Sequence, residues 1–180
     1  MVNFEYLVPT KVVFGKDTEG EAGRLIKENG GTRARIHWGG DYVRTTGLLG
    51  RVEKGLDDAG ISYVELDGVV PNPRLSLVKR GVELARQEGV DFVLAIGGGS
   101  AIDSSKAIAY GLANDFALED LFLGKVGTDK IAKLGAISTL AGTGSETSNS
   151  AVINIDTLGE RMLKRSYNHE CGRPLFAIMH

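Results

Sequence analysis

Apolar positions recur along the chain in two periods, one of strands and one of helices. Phe92-Val93-Leu94-Ala95-Ile96 is an unbroken apolar run, the pattern of a strand buried on both faces of a parallel sheet. Lys11 to Gly15, Arg33 to Trp38, Ser62 to Leu66, Leu134 to Thr139, Ala151 to Asp156 and Phe176 to Met179 read as further strands, the first paired with Phe4 to Val8. Between them, helical spacing marks Glu19 to Asn29, Leu48 to Asp58 and Leu75 to Gln87, then a helix opening near Ser100 and a short one within Phe116 to Phe122. Gly30-Gly31 closes the first helix and Gly60 takes the C′ position of the second. Pro71-Asn72-Pro73 breaks the chain before the third. Alternating strands and helices predict an α/β domain with a mainly parallel sheet, a single domain over residues 1–180.

In such sheets ligands collect beyond the carboxyl ends of the strands. Three glycine turns fall there, at 39–40, 97–99 and 142–144, and together they predict one crevice. Gly97-Gly98-Gly99 removes every side chain between a buried strand and a helix, so backbone N–H groups can approach a ligand. Ser100 fits the N-cap of that helix, with Asp103 as the acidic half of a capping box. A bare turn before a helix N-terminus favours an anion, here a phosphate or pyrophosphate. The spacing is not G-x-G-x-x-G, so the ordinary dinucleotide fingerprint is not met.

The stretch Thr139 to Thr147 carries small hydroxyls and unhindered amides, which suit ribose and phosphate groups. The same residues suit a turn that satisfies its own backbone; beside the 97–99 turn the ligand reading leads. Asn72 fits a contact to adenosine or phosphate as well as a simple turn. Lys164 fits a ribose or pyrophosphate contact as well as an exposed surface.

Composition narrows the function classes. Hydrophobic residues at 42% and charged residues at 24% are those of a globular protein, and a net charge of −2 argues against nucleic acid or an anionic membrane as partner. The N-terminus lacks the pattern of a signal peptide and no apolar run reaches the length of a membrane span. Cys171 is the sole cysteine, which excludes an internal disulfide and fits a reducing cytosol. His37 reads as a packed side chain beside Trp38. His169, Glu170 and Cys171 are adjacent, would point to alternate faces of a strand, and have no second ligand pair at metal spacing, so no metal site is expected. No Ser/His/Asp set or carboxylate pair stands out, and no catalytic group is assigned.

Gly97-Gly98-Gly99-Ser100-x-x-Asp103 with Lys106, followed by Ser138-Thr139-Leu140-Ala141-Gly142-Thr143-Gly144-Ser145-Glu146, resembles the iron-containing (group III) alcohol dehydrogenases. The branch most resembled is the NADPH-linked butanol dehydrogenases. Trp38-Gly39-Gly40-Asp41-Tyr42 stands where that branch has a Tyr-Gly-Gly-Gly-Ser-like turn, and Pro71-Asn72-Pro73 and Arg173 to Ile178 match further landmarks. The resemblance runs from Val12 to Ile178.

What it implies is a Rossmann-like sheet flanked by helices, as in the N-terminal domain of dehydroquinate synthase, with NADP or NAD as coenzyme. Gly97, Gly98, Gly99, Ser100 and Asp103 would hold the pyrophosphate and nearby groups. Thr139, Leu140, Thr143 and Ser145 would line the ribose and nicotinamide side, and Asn72 and Lys164 would touch the coenzyme. Gly39 and Gly40 fall where an acidic residue grips the adenosine 2′-hydroxyl in NAD users. Their smallness would leave room for a 2′-phosphate with Arg44 as its partner, while the Asp41 charge would oppose it; on balance NADP is favoured. The implied reaction is hydride transfer between a primary alcohol or aldehyde and NAD(P).

In the family a second, helical domain supplies an Asp and three His ligands to Fe²⁺ or Zn²⁺, all beyond residue 180. His180 stands where the family has Asp or Asn before Pro. The resemblance thus implies a cytoplasmic chain that binds nucleotide weakly, does not turn over substrate alone, and self-associates as a homo-oligomer through its N-terminal strands or an exposed interdomain face. Glycerol dehydrogenase and dehydroquinate synthase share the architecture, and the Thr139 to Glu146 stretch disfavours them. A non-catalytic nucleotide-binding fragment is the alternative from another class.

Overall fold

The structure, a computed structural model, describes residues 3, 5, 7–159 and 161–179. Its strands are β1 (Lys11–Phe14), β2 (Arg33–Trp38), β3 (Ser62–Leu66), β4 (Phe92–Gly97), β5 (Lys133–Ser138), β6 (Ser150–Ile155), β7 (Leu163–Asn168) and β8 (Phe176–Met179). Its α-helices are α1 (Ala22–Glu28), α2 (Tyr42–Thr45), α3 (Leu48–Ala59), α4 (Leu75–Gln87), α5 (Gly99–Ala113) and α6 (Leu118–Phe122). Six strands form one sheet in the order β1-β8-β5-β4-β2-β3, every pair parallel.

The sheet has helices on both faces, and each face has its own core. Alternate residues of β2 and β4 divide between them, as a period of two requires. Ala34, Ile36, Trp38, Phe92, Leu94 and Ile96 pack with Leu25 and Ile26 of α1 and Val52 and Leu56 of α3. Val93 packs on the other face with Val78 of α4, Ile108 of α5 and Leu121 of α6. Burying one such Leu, Ile or Phe side chain contributes on the order of 2 kcal/mol. Every residue of β4 is buried, which explains its unbroken apolar run.

The strand order places a switch point beside β4. β2 and β4 are neighbours, yet the chain leaves β2 toward β3 on one side and β4 toward β5 on the other. Such a reversal opens a crevice at the carboxyl ends of the two strands.

The structure corrects several expectations. β1 lies parallel to β8, Lys11 opposite Phe176, and the described residues of the segment expected to pair with it, 5, 7 and 8, form no strand. Phe4 and Tyr6 lie outside the described residues, as does His180. The first helix begins at Ala22, after a 3₁₀ turn over Thr18–Glu21. β6 leaves the main sheet and pairs antiparallel with β7, a strand the sequence reading does not contain. The exposed, charged composition of Leu163–Asn168 hides it, because only its partner supplies a buried face. His169 to Cys171 are not strand residues: the His169 Nδ1 accepts from the Cys171 N–H at 3.2 Å and caps a 3₁₀ turn.

Candidate functional site

A crevice of about 410 Å³ opens at the start of α5. Its walls come from three places: Asn72 and Pro73 before α4, Gly99, Ser100 and Asp103 of α5 with Thr143 and Ser145 of the following turn, and the β6–β7 hairpin through Val152, Asn154 and Lys164. Seven residues expected from sequence therefore meet here: Asn72, Gly99, Ser100, Asp103, Thr143, Ser145 and Lys164.

The local reasons can be followed residue by residue. Gly97 ends β4 with φ of +145°, a conformation that side-chain-bearing residues rarely adopt. A Cβ at Gly99 would sit 2.6 Å from the Thr143 Oγ1, so the absent side chain lets the 142–145 turn close onto the helix start. The Ala101 and Ile102 amides bond back to the Gly98 carbonyl at 3.1 and 3.2 Å. Gly99 and Ser100 precede them in the first turn, where amides have no partner one helical turn back. Two details differ from expectation. Gly98, not Ser100, is the N-cap, and Asp103 makes no capping box. Instead its Oδ2 accepts the Val152 N–H at 3.2 Å and ties α5 to β6.

Beneath the crevice lies a buried charged group. The Lys106 Nζ donates to the Ser148 carbonyl at 2.8 Å, the Ser148 Oγ at 3.1 Å and the Ser150 carbonyl at 2.7 Å, so the ammonium pins the root of the hairpin. Burial pulls its pKa down to about 8, with Asp103 acting in the opposite direction. Burial likewise raises the Asp103 carboxyl, against the Lys106 charge and the Ser145 hydroxyl. The Asp103 Oδ1 is buried without a hydrogen-bond partner among the described residues.

The rest of the expected site lies along the β2 side of the switch point. The Tyr42 hydroxyl and the Thr139 Oγ1 share a hydrogen bond of 2.6 Å, joining the turn after β2 to the turn after β5. Leu140 is 64% exposed, and its side chain covers Gly98. Gly39 and Gly40 do not line the crevice. Their smallness is taken up by the protein itself: a Cβ at Gly39 would meet Val69 at 2.6 Å, and one at Gly40 the Tyr42 ring at 2.6 Å. Arg44 lies over the Trp38 ring, 5.2 Å from its centroid, and 3.5 Å from the Glu65 carboxylate. Reasoning from sequence missed Val152 and Asn154, although the alternation in β6 carried the signal: Ala151, Ile153 and Ile155 are buried, which leaves Val152 and Asn154 for the crevice face. Tyr42 had no such signal.

The arrangement can hold an anion at the amides of Gly99 and Ser100, with hydroxyls and a cation around it. Among the described residues no group of three or more His, Cys, Asp or Glu side chains converges to hold a metal ion. None of the helices in the described residues is long and apolar enough to cross a membrane.

A parallel sheet with helices on both faces and a glycine turn at its switch point defines a Rossmann-like α/β domain. Residues 9–180 match the family model described as iron-containing alcohol dehydrogenase, and the chain belongs to that family. It is 40% identical over 179 residues to NADH-dependent butanol dehydrogenase A of Clostridium acetobutylicum, covering 99% of this chain and 45% of that protein. It is 32% identical to the NADPH-dependent aldehyde reductase YqhD of Escherichia coli, again over 99% of this chain and 45% of the relative. The crystal structure of NADH-dependent butanol dehydrogenase A from Thermotoga maritima superposes with a TM-score of 0.92 at 36% identity, over 98% of this chain and 44% of that one. The chain spans less than half the length of these relatives.

Proposed function

We propose that this chain forms the coenzyme-binding part of an NAD(P)-dependent alcohol dehydrogenase, whose reaction moves a hydride between a primary alcohol or aldehyde and the coenzyme. The observation that carries the reading is the meeting of Asn72, Gly99, Ser100, Thr143, Ser145 and Lys164 around one crevice at the switch point. The residues suit a dinucleotide. Bare amides at a helix start take a pyrophosphate, Lys164 adds a cation, and the unpartnered Asp103 Oδ1 accepts from a ribose hydroxyl. Thr139 and Leu140 with the Gly97-Gly98 turn continue the wall toward Gly39, Gly40 and Arg44, where the adenosine ribose would lie. Val152 and Ile153 supply the apolar part of the lining that limits water.

When bound, the nicotinamide gives or takes the hydride. This chain's own residues bind and orient: the α5 amides fix the pyrophosphate, the Thr143 and Ser145 hydroxyls fix the ribose beside it, and the Lys106 clamp keeps the β6–β7 hairpin closed against both. Iron belongs to the family by its name, and among the described residues there is no ligand set for it. A homo-oligomer is part of the reading, supported by the β1 edge strand, where Phe14 is 81% exposed. So is a cytoplasmic location, supported by the free thiol of Cys171.

A thermal-shift titration with NADH, NADPH and no ligand tests the binding claim. At a hundredfold excess over Kd, linkage adds about 2.7 kcal/mol, which for a chain of this size raises Tm on the order of 5–10 °C. An unchanged Tm with both coenzymes at millimolar concentration would refute it.

A further inference from the structure

Trp38, Arg44 and Glu65 form a cluster beside the end of β2, outside the crevice. The Glu65 Oε2 accepts from the Trp38 indole N–H at 3.3 Å and lies 3.5 Å from the Arg44 Nη2. The guanidinium carbon lies over the indole, 5.2 Å from its centroid. A cavity lined by Arg44, Gly47, Leu49, Gly50, Glu53 and Glu65 opens next to it. Glu53 stands beside Glu65, and burial together with the Glu65 charge holds its carboxyl above the ordinary range. The carboxyl end of the strand before this turn is where a Rossmann-like domain meets the adenosine ribose. Gly39 and Gly40 offer that ribose no carboxylate, and the nearby Arg44 is already engaged.

Resting on the coenzyme-binding reading above, we propose that Glu65 is the positioning residue that sets coenzyme preference: it keeps Arg44 on Trp38, away from a 2′-phosphate, so that the chain prefers a coenzyme with a free 2′-hydroxyl. A 2′-phosphate must draw Arg44 off a carboxylate and then sit close to that carboxylate's charge. Both effects act against NADP(H) and leave NAD(H) untouched. This reverses the preference for NADP drawn from the small glycines and from Arg44 as a phosphate partner, weighed against the Asp41 charge. Charge removal at Glu65 hands Arg44, a fork suited to phosphate, to the ligand.

Trp38 is the only tryptophan of the chain, so its fluorescence reports on the cluster directly. The experiment titrates ADP and 2′,5′-ADP into the wild type, Glu65→Gln, and Glu65→Gln combined with Arg44→Leu. Glu65→Gln keeps an acceptor for the Trp38 N–H and removes the charge. It is expected to tighten 2′,5′-ADP about fivefold, the scale of one exposed ion pair, with a change in Trp38 emission and no change in the Kd of ADP. The double variant should lose that gain, and added salt should shrink it. Equal effects on ADP and 2′,5′-ADP, or a gain that survives loss of Arg44, overturn the assignment of Glu65 while the coenzyme-binding reading stands. Failure of the wild type to bind either nucleotide overturns both.

Discussion

His37 should make this domain lose stability on mild acidification, well before its carboxylates titrate. The ring lies wholly buried in β2, with Nδ1 3.1 Å from the Leu66 carbonyl and Nε2 2.8 Å from the Ser104 Oγ. A carbonyl only accepts, so Nδ1 carries the proton and Nε2 accepts from the Ser104 hydroxyl. Protonating Nε2 would place two donors face to face unless the hydroxyl turns. It would also set a buried cation near Arg35, itself buried in the same strand. Burial first, and the Arg35 charge second, lower the pKa of His37 to about 3.

A base whose folded pKa is depressed leaves the unfolded chain binding more protons between the two pKa values, so stability falls as pH drops below the unfolded value near 6.5. Integrated from pH 7 to pH 5, the loss is about 2 kcal/mol, and the full gap between the two pKa values corresponds to about 5 kcal/mol. Urea denaturation at pH 7, 6 and 5 measures it, with His37→Gln as the comparison. The variant will be less stable at pH 7, since its neighbours lose a well-placed ring, but its stability should be nearly flat over this interval. Parallel curves for the two proteins would refute the reasoning, because the slope would then come from other groups.

Gly99→Ala should shift the Thr143 side chain at the helix start. We expect weaker nucleotide binding by about tenfold with less than about 1 kcal/mol lost in stability, measured by the titration above alongside denaturation. Lys106 has the sign of His37 at higher pH: with its folded pKa near 8 against 10.5, stability should rise by about 1 kcal/mol from pH 7 to pH 9. A Cys171→Ser background removes the opposing effect of the buried thiol, whose pKa burial raises, and Lys106→Met should abolish the slope. The remaining expectations concern binding: a Tm rise with NADH or NADPH, and a selective gain for 2′,5′-ADP in Glu65→Gln.

Much of this protein was legible one residue at a time. The strands β2, β3, β4, β5 and β8 and the helices α3 and α4 follow from apolar periodicity, because each element buries a face whatever its neighbours are. The glycine turn at 97–99 and the small-residue turn at 142–145 were equally readable, since bare backbone after a buried strand has few other uses, and the spacing of the two motifs was enough to suggest the family. Tertiary structure decided the rest. β1 found β8 at the far end of the chain, and β7 became a strand only because β6 needed a partner; hydrogen-bond pairing over such separations leaves no local mark. Gly39 and Gly40 looked like room for a phosphate, and the structure adds that a side chain at either would meet Val69 or Tyr42. Arg44 looked like a free cation, yet Glu65 and Trp38 hold it. The chain's own residues determined that a bare glycine turn would meet a helix at the start of α5. Which groups around it are free to meet a ligand was decided by packing, because a side chain's availability depends on everything else that folds against it.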